Sequence, residues 1–241
     1  MLKSELLKIR SLPTPRTALV FVLAAILAAC VIVGLVAPEG NAVEWYHRAP
    51  DFAVNLVGTI AAMVLGAWVI GLEFSSKTVR LAATVQPARS RLIVTKFLVA
   101  LGLLTAFAVA VTAVAYLAQL AMCSIGGIDF PSREALDSAV AYTLLSIFWG
   151  MFAFGLVLLL RSYTAGLIVS IVLAIGIDNA LQLIPKVGKY TFGSATGSVA
   201  NSITGDNEAT LTIGIAVLAT LTWIAVVNLA GSVRFSTTDL K

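Results

Sequence analysis

Six apolar stretches of about twenty residues recur along the chain, at residues 17–37, 52–72, 97–122, 138–160, 164–184 and 210–232. At ~1.5 Å per residue, a helix of that length crosses the roughly 30 Å hydrocarbon core of a bilayer. The pattern therefore predicts an all-α integral membrane protein with six transmembrane helices. The fourth and fifth stretches are separated only by Arg161, Ser162 and Tyr163, which predicts a helical hairpin. The first stretch is too long for a signal peptide. Four basic residues and the pair Pro13 and Pro15 precede it, and no small-residue cleavage site stands out after it, so it reads as retained.

The polar positions between the stretches fix an orientation. Of the 16 Lys and Arg residues, twelve fall in one set of connections: Lys3, Lys8, Arg10, Arg16, Lys77, Arg80, Arg89, Arg91, Lys96, Arg161, Arg234 and Lys241. Four fall in the other: Arg48, Arg133, Lys186 and Lys189. Basic loops stay cytoplasmic, so both termini are predicted inside. The acids Glu39, Glu44, Asp51, Asp129, Glu134, Asp137, Asp206 and Glu208 follow the opposite trend. The net charge of +4 is thus topological information, with no nucleic-acid surface implied.

Composition sharpens the class. Of 241 residues, 59% are hydrophobic and 12% charged. A soluble domain carries roughly 25% charged residues, and a disordered chain carries far less apolar surface. Cys30 and Cys123 form no CxxC and read as small buried hydrophobes.

Four segments invite closer reading. Residues 1–12 suit a short helix with Leu2, Leu6, Ile9 and Leu12 on one face and Lys3, Lys8 and Arg10 on the other, as in an amphipathic helix lying in the membrane interface. Glu5 and Leu7 depart from the pattern, and a plain basic tail is the alternative. The loop 73–96 is the longest inside connection and is dense in charge, suiting either a docking surface for a cytosolic partner or a solvated loop. In the fifth span Gly166, Ser170, Ala174, Asp178 and Gln182 recur every four residues and share a face, with Asn179 beside them. Asp178 lies about 14 residues in, roughly 21 Å across. An ionisable group at that depth is costly and a functional hypothesis by default. The stripe suits the wall of a substrate path or a helix–helix contact. In the second span Gly58, Ala62 and Gly66 share the same spacing, which lets another helix approach closely. The outer segment 185–209 is either an irregular cap or a pair of short interfacial or re-entrant helices near residues 190–192 and 198–203.

Several chemistries lack their residues. The chain has no G-x-x-x-x-G-K-[ST], H-E-x-x-H or G-x-S-x-G motif, and one histidine, His47. No catalytic residues, metal site or cofactor are expected in this chain.

The chain resembles the membrane subunits of ABC-2 type transporters, the six-span permeases of bacterial ABC exporters. The likeness rests on Glu5-Leu-Leu-Lys8-Ile-Arg10-Ser11 ahead of the first span and Gly71-Leu-Glu73-Phe74 closing the second. Thr78, Arg80, Gln86-Pro87-Ala88-Arg89 and Lys96 follow in order, within a six-span layout with both ends inside. Lys77 departs from the glycine many members carry before the threonine. The resemblance implies an ABC-2 exporter-like fold in the bacterial plasma membrane. It implies that residues 1–12 form a connecting helix and that Glu5, Lys8, Arg10, Glu73, Arg80, Arg89 and Arg91 couple the spans to a cytosolic ABC ATPase. Two copies of that ATPase, carrying ATP and Mg, would serve two permease chains, identical or merely similar. Gly58, Ala62, Gly66, Ser170, Asp178, Asn179 and Gln182 would lie near the transport path or the dimer seam, and 185–209 would cap it. The implied activity is export of an amphiphile such as a drug, an antibiotic peptide or a lipid. Two other classes remain: an ion-coupled secondary transporter using Asp178, and a non-transporting membrane scaffold.

Overall fold

A computed structural model describes residues 13–36, 42–75, 89–184, 187–205 and 209–237. Every element described there is helical. In chain order these are α1 (Pro13–Val36), α2 (Ala42–Ala53), a π turn (Val54–Gly58), α3 (Thr59–Ser75), α4 (Arg89–Gly126), α5 (Ser132–Leu160), α6 (Tyr163–Val172), a second π turn (Leu173–Ile177), α7 (Asp178–Gln182), a 3-10 turn (Gly188–Tyr190), α8 (Phe192–Thr204) and α9 (Ile213–Thr237).

Five helices among the described residues are long and apolar enough to cross a membrane: Val43–Leu72, Leu92–Gly126, Ser132–Leu160, Tyr163–Gln182 and Ile213–Phe235. The helix α1, Pro13–Val36, is also apolar, and among the described residues its apolar run covers Leu19–Ile32. The expected amphipathic segment 1–12 lies outside the described residues, as do residues 76–88 of the expected coupling loop.

Helix extends beyond the apolar stretches in three places. Around the stretch 52–72 it runs from Ala42 through Pro50 and the π turn to Ser75. Around 97–122 it runs from Arg89 to Gly126. Charge ends an apolar window without ending a helix, since Arg, Lys and Glu are good helix formers. In the segment 185–209, residues 192–204 form a regular helix. Thr191 caps it by accepting from the Ser194 N–H, and Gly205 closes it at φ 79°.

The helix α5 is the hub, and α3, α4, α6, α8 and α9 pack around it. Glycines make this crowding possible. A Cβ at Gly66 of α3 would lie 2.0 Å from the Gly150 carbonyl oxygen of α5. Only backbone fits there, which draws the two helices together as small residues do in membrane bundles. On the far side, Asn228 of α9 donates to the carbonyls of Met151 and Ile224 at 3.3 and 2.8 Å. The hairpin turn between α5 and α6 falls at Arg161, which takes the left-handed conformation (φ 57°), and Ser162, whose hydroxyl accepts from the Ala165 N–H. Arg234 of α9 donates to the Leu159 carbonyl at 2.7 Å and so satisfies one of the open carbonyls at the end of α5. Cys30 and Cys123 are free and buried.

Candidate functional site

Two polar constellations interrupt the apolar bundle, and each is centred on an aspartate. The first is Asp178. It opens α7 directly after the π turn Leu173–Ile177. A π turn adds one residue to a helical turn, which rotates the face that follows by about 100°. The four-residue stripe therefore does not present one straight face to one neighbour. Its first half packs on α5: a Cβ at Gly166 would lie 2.4 Å from Val157 Cγ2, and Ser170 is fully buried with its hydroxyl donating to the Gly166 carbonyl. Its second half meets α8. The Asp178 carboxylate, 6% exposed, accepts from the Gly193 N–H at 2.9 Å and from the Gln182 amide at 2.7 Å.

Gly193 lies in the first turn of α8, whose N-terminus carries open N–H groups and a partial positive charge. Asp178 thus anchors that helix electrostatically. The fit is close enough that a Cβ at Gly193 would lie 2.1 Å from Asp178 Oδ2. Next to it Phe192 stacks on Phe152 (centroids 4.1 Å apart) and meets Trp149 edge-on at 4.7 Å. Trp223 of α9 donates to the Tyr190 carbonyl at 2.9 Å, and the Ser198 and Thr210 hydroxyls bond at 2.9 Å. Asn179 points away from the anchor and donates to the Ile175 carbonyl, and Gln182 is exposed apart from its bond to Asp178.

The second constellation lies at the end of the bundle where α2, α4, α5 and the C-terminus of α8 meet. Asp51 of α2 accepts from the Tyr116 hydroxyl of α4 and from the Ser138 hydroxyl of α5, the latter at 3.4 Å. Gln119, one turn beyond Tyr116, donates to the His47 carbonyl at 3.0 Å, and His47 Nε2 donates to the Asp129 carbonyl at 3.3 Å. Below, the Thr112 and Thr143 hydroxyls bond at 3.0 Å. Beside Asp51 opens a cleft of about 600 Å³ whose walls include Glu44, Arg48, Glu134, Tyr142 and Thr204. Glu44 and Glu134 stand in the first turns of α2 and α5. Arg48 pairs with Glu44 at 3.3 Å.

Of the residues singled out from sequence, Glu5, Lys8, Arg10 and Arg80 lie outside the described residues. Glu73 falls in the last turn of α3, and Arg89 and Arg91 in the first turn of α4. Gly58, Ala62 and Gly66 are buried inside the chain, against Val111 of α4 and Gly150 of α5, so they line a seam within one subunit. Ser170, Asp178 and Gln182 are brought to the α5 and α8 contacts. Asp51 belongs to a helix continuous with the second candidate span. The Asp51 constellation was missed as a unit. Its one sequence signal is Thr112, Tyr116 and Gln119, which share a face of the third span at helical spacing.

Compared with known families, the chain matches over residues 1–177 the family described as ABC-2 family transporter protein. No curated protein matches it.

Proposed function

This chain belongs to the ABC-2 family of transporter proteins, and on that premise we propose that it is the permease subunit of a bacterial exporter driven by a separate ATPase. As a member it is a multi-pass membrane component of an ABC transporter. The observation that carries the proposal is the pairing of that membership with a sequence that has no phosphate-binding loop. On this reading a separate ATPase binds the ATP and Mg. Six spans, both ends cytoplasmic, complete the reading, with α1 as the first span. Two permeases, identical or similar, pair with two ATPases in the plasma membrane. The connecting helix (Glu5, Lys8, Arg10) and the loop bearing Glu73, Arg80, Arg89 and Arg91 receive the motion of the ATPases. The cargo is amphiphilic, in keeping with the apolar faces that α6 and α9 expose. The ion-coupled alternative through Asp178 loses support, because that carboxylate is engaged by Gly193 and Gln182.

Gentle purification of the tagged chain from its own cells, followed by mass spectrometry, tests the partnership. A near-stoichiometric protein with a Walker-type phosphate loop is the expected companion. A stable preparation with no ATPase, transporting in vesicles without ATP, would overturn the proposal.

A further inference from the structure

The cleft beside Asp51 does not follow from family membership, and its walls have a definite chemistry. Three carboxylates, Glu44, Asp51 and Glu134, face one guanidinium, Arg48, which is already paired with Glu44. Among the described lining residues the carboxylates outnumber the guanidinium group three to one, so the lining is acidic. Two phenol rings, Tyr116 and Tyr142, stand beside them, and aromatic faces attract cations. A volume of about 600 Å³ falls in the range of small-molecule sites. A second, mostly apolar groove runs along the other side of α2, lined by Trp45, Ala49 and Phe52, and it shares Glu44 and Arg48 with the cleft. Among the described residues no three His, Cys, Asp or Glu gather closely enough to hold a metal ion.

We propose that this cleft is a binding site for an organic ammonium, with Asp51 and Glu134 holding the charge, Tyr116 and Tyr142 flanking it, and the Trp45–Phe52 groove taking an apolar extension. A carboxylate offers about four acceptor positions, so the bonds of Asp51 to Tyr116 and Ser138 do not by themselves exclude a guest. Glu134 is exposed at the rim and meets the cation first. The site sits at the end opposite Glu73 and Arg89, so it is distinct from the ATPase-coupling surface. The inference deepens the transport reading by giving the cargo a charge. Binding is measured without ATP, however, so a failure here leaves the ATPase partnership untouched.

The test uses the full-length permease in detergent micelles with ethidium, an aromatic cation whose anisotropy rises on binding, and anilinonaphthalene sulfonate as an anionic counterpart. Saturable ethidium binding is expected, weakened about tenfold by Asp51→Asn and several-fold by Glu134→Gln, in line with the loss of one charge contact each. Glu134→Lys should abolish it. Because Glu134 lies on the rim, its two variants keep the test open if Asp51→Asn fails to fold. Equal ethidium affinity in Glu134→Lys and wild type would overturn the proposal, as would a sulfonate dye that binds the cleft as well as ethidium does.

Discussion

Asp178 and Asp51 are both carboxylates drawn into a bundle of apolar helices, yet their surroundings differ in kind. Asp178 is buried, and both of its oxygens are bonded: one accepts a backbone N–H at a helix N-terminus, the other an amide one turn away. Nothing in the described cavities reaches it. Asp51 is half-buried and joins three helices through hydroxyls, and it forms part of the wall of an open cleft. Charge at membrane depth flags a functional candidate, but what the charge does depends on where its lone pairs point. A carboxylate engaged by backbone holds structure; one shared with a cavity is available to a guest.

The contrast can be broken most forcefully at Gly193. Gly193→Ala places a methyl 2.1 Å from Asp178 Oδ2, and relieving it must move α8 or expel the carboxylate. Overpacking of this kind costs about 1–3 kcal/mol. The expected result is the largest drop in thermal midpoint among these variants and faster proteolysis between α7 and α9, with ethidium binding kept wherever the protein is folded. Next comes Asp178→Ala. It strips the Gly193 N–H of its acceptor, and an orphaned buried donor costs about 1–3 kcal/mol. Scanning calorimetry should show the loss. If the midpoint does not move, the anchoring role is wrong. Tyr116→Phe is smaller, at about 1 kcal/mol for one hydrogen bond. It keeps the ring, so ethidium affinity should change far less than in Asp51→Asn. Ser138→Ala is the smallest, because its bond to Asp51 is long at 3.4 Å; it is expected under about 0.5 kcal/mol. Asp178 bonds Gly193 and Gln182 while Tyr116 bonds Asp51, so the destabilisations of Asp178→Ala and Tyr116→Phe should add in the double variant to within about 0.5 kcal/mol.

Much of this fold was readable from hydropathy alone. Runs such as 138–160 need no partner to be recognised, because lipid dictates their length and composition. The hairpin at Arg161 and Ser162 was equally plain, since two residues cannot hold a longer loop. What hydropathy could not deliver was helix beyond the apolar window. Residues 42–51 carry Glu44, His47, Arg48, Pro50 and Asp51, a composition that ends an apolar run yet continues a helix. The helix α8 was hidden for another reason: its Gly, Ser and Thr make it a weak helix by propensity. It is held in place by Phe192 on Trp149 and Phe152, and by Asp178, which are tertiary contacts. Asp178 stood out by its cost, but the π turn before it altered which neighbour its face meets. The Asp51 constellation joins residues 47, 51, 116, 119 and 138, and only folding brings these together.

The most direct measurement compares Asp178→Asn and Asp51→Asn side by side in the full-length permease, recording the thermal midpoint and the ethidium dissociation constant for each. A division of labour predicts a crossed pattern. Asp178→Asn should lower the midpoint by about 2–4 °C, as a loss of ~1 kcal/mol does in a chain of this size, and leave ethidium affinity near wild type. Asp51→Asn should weaken ethidium about tenfold and shift the midpoint less. If Asp178→Asn instead weakened ethidium as strongly as Asp51→Asn while the midpoint stayed put, Asp178 would belong to the ligand's path and the division between the two regions would be contradicted.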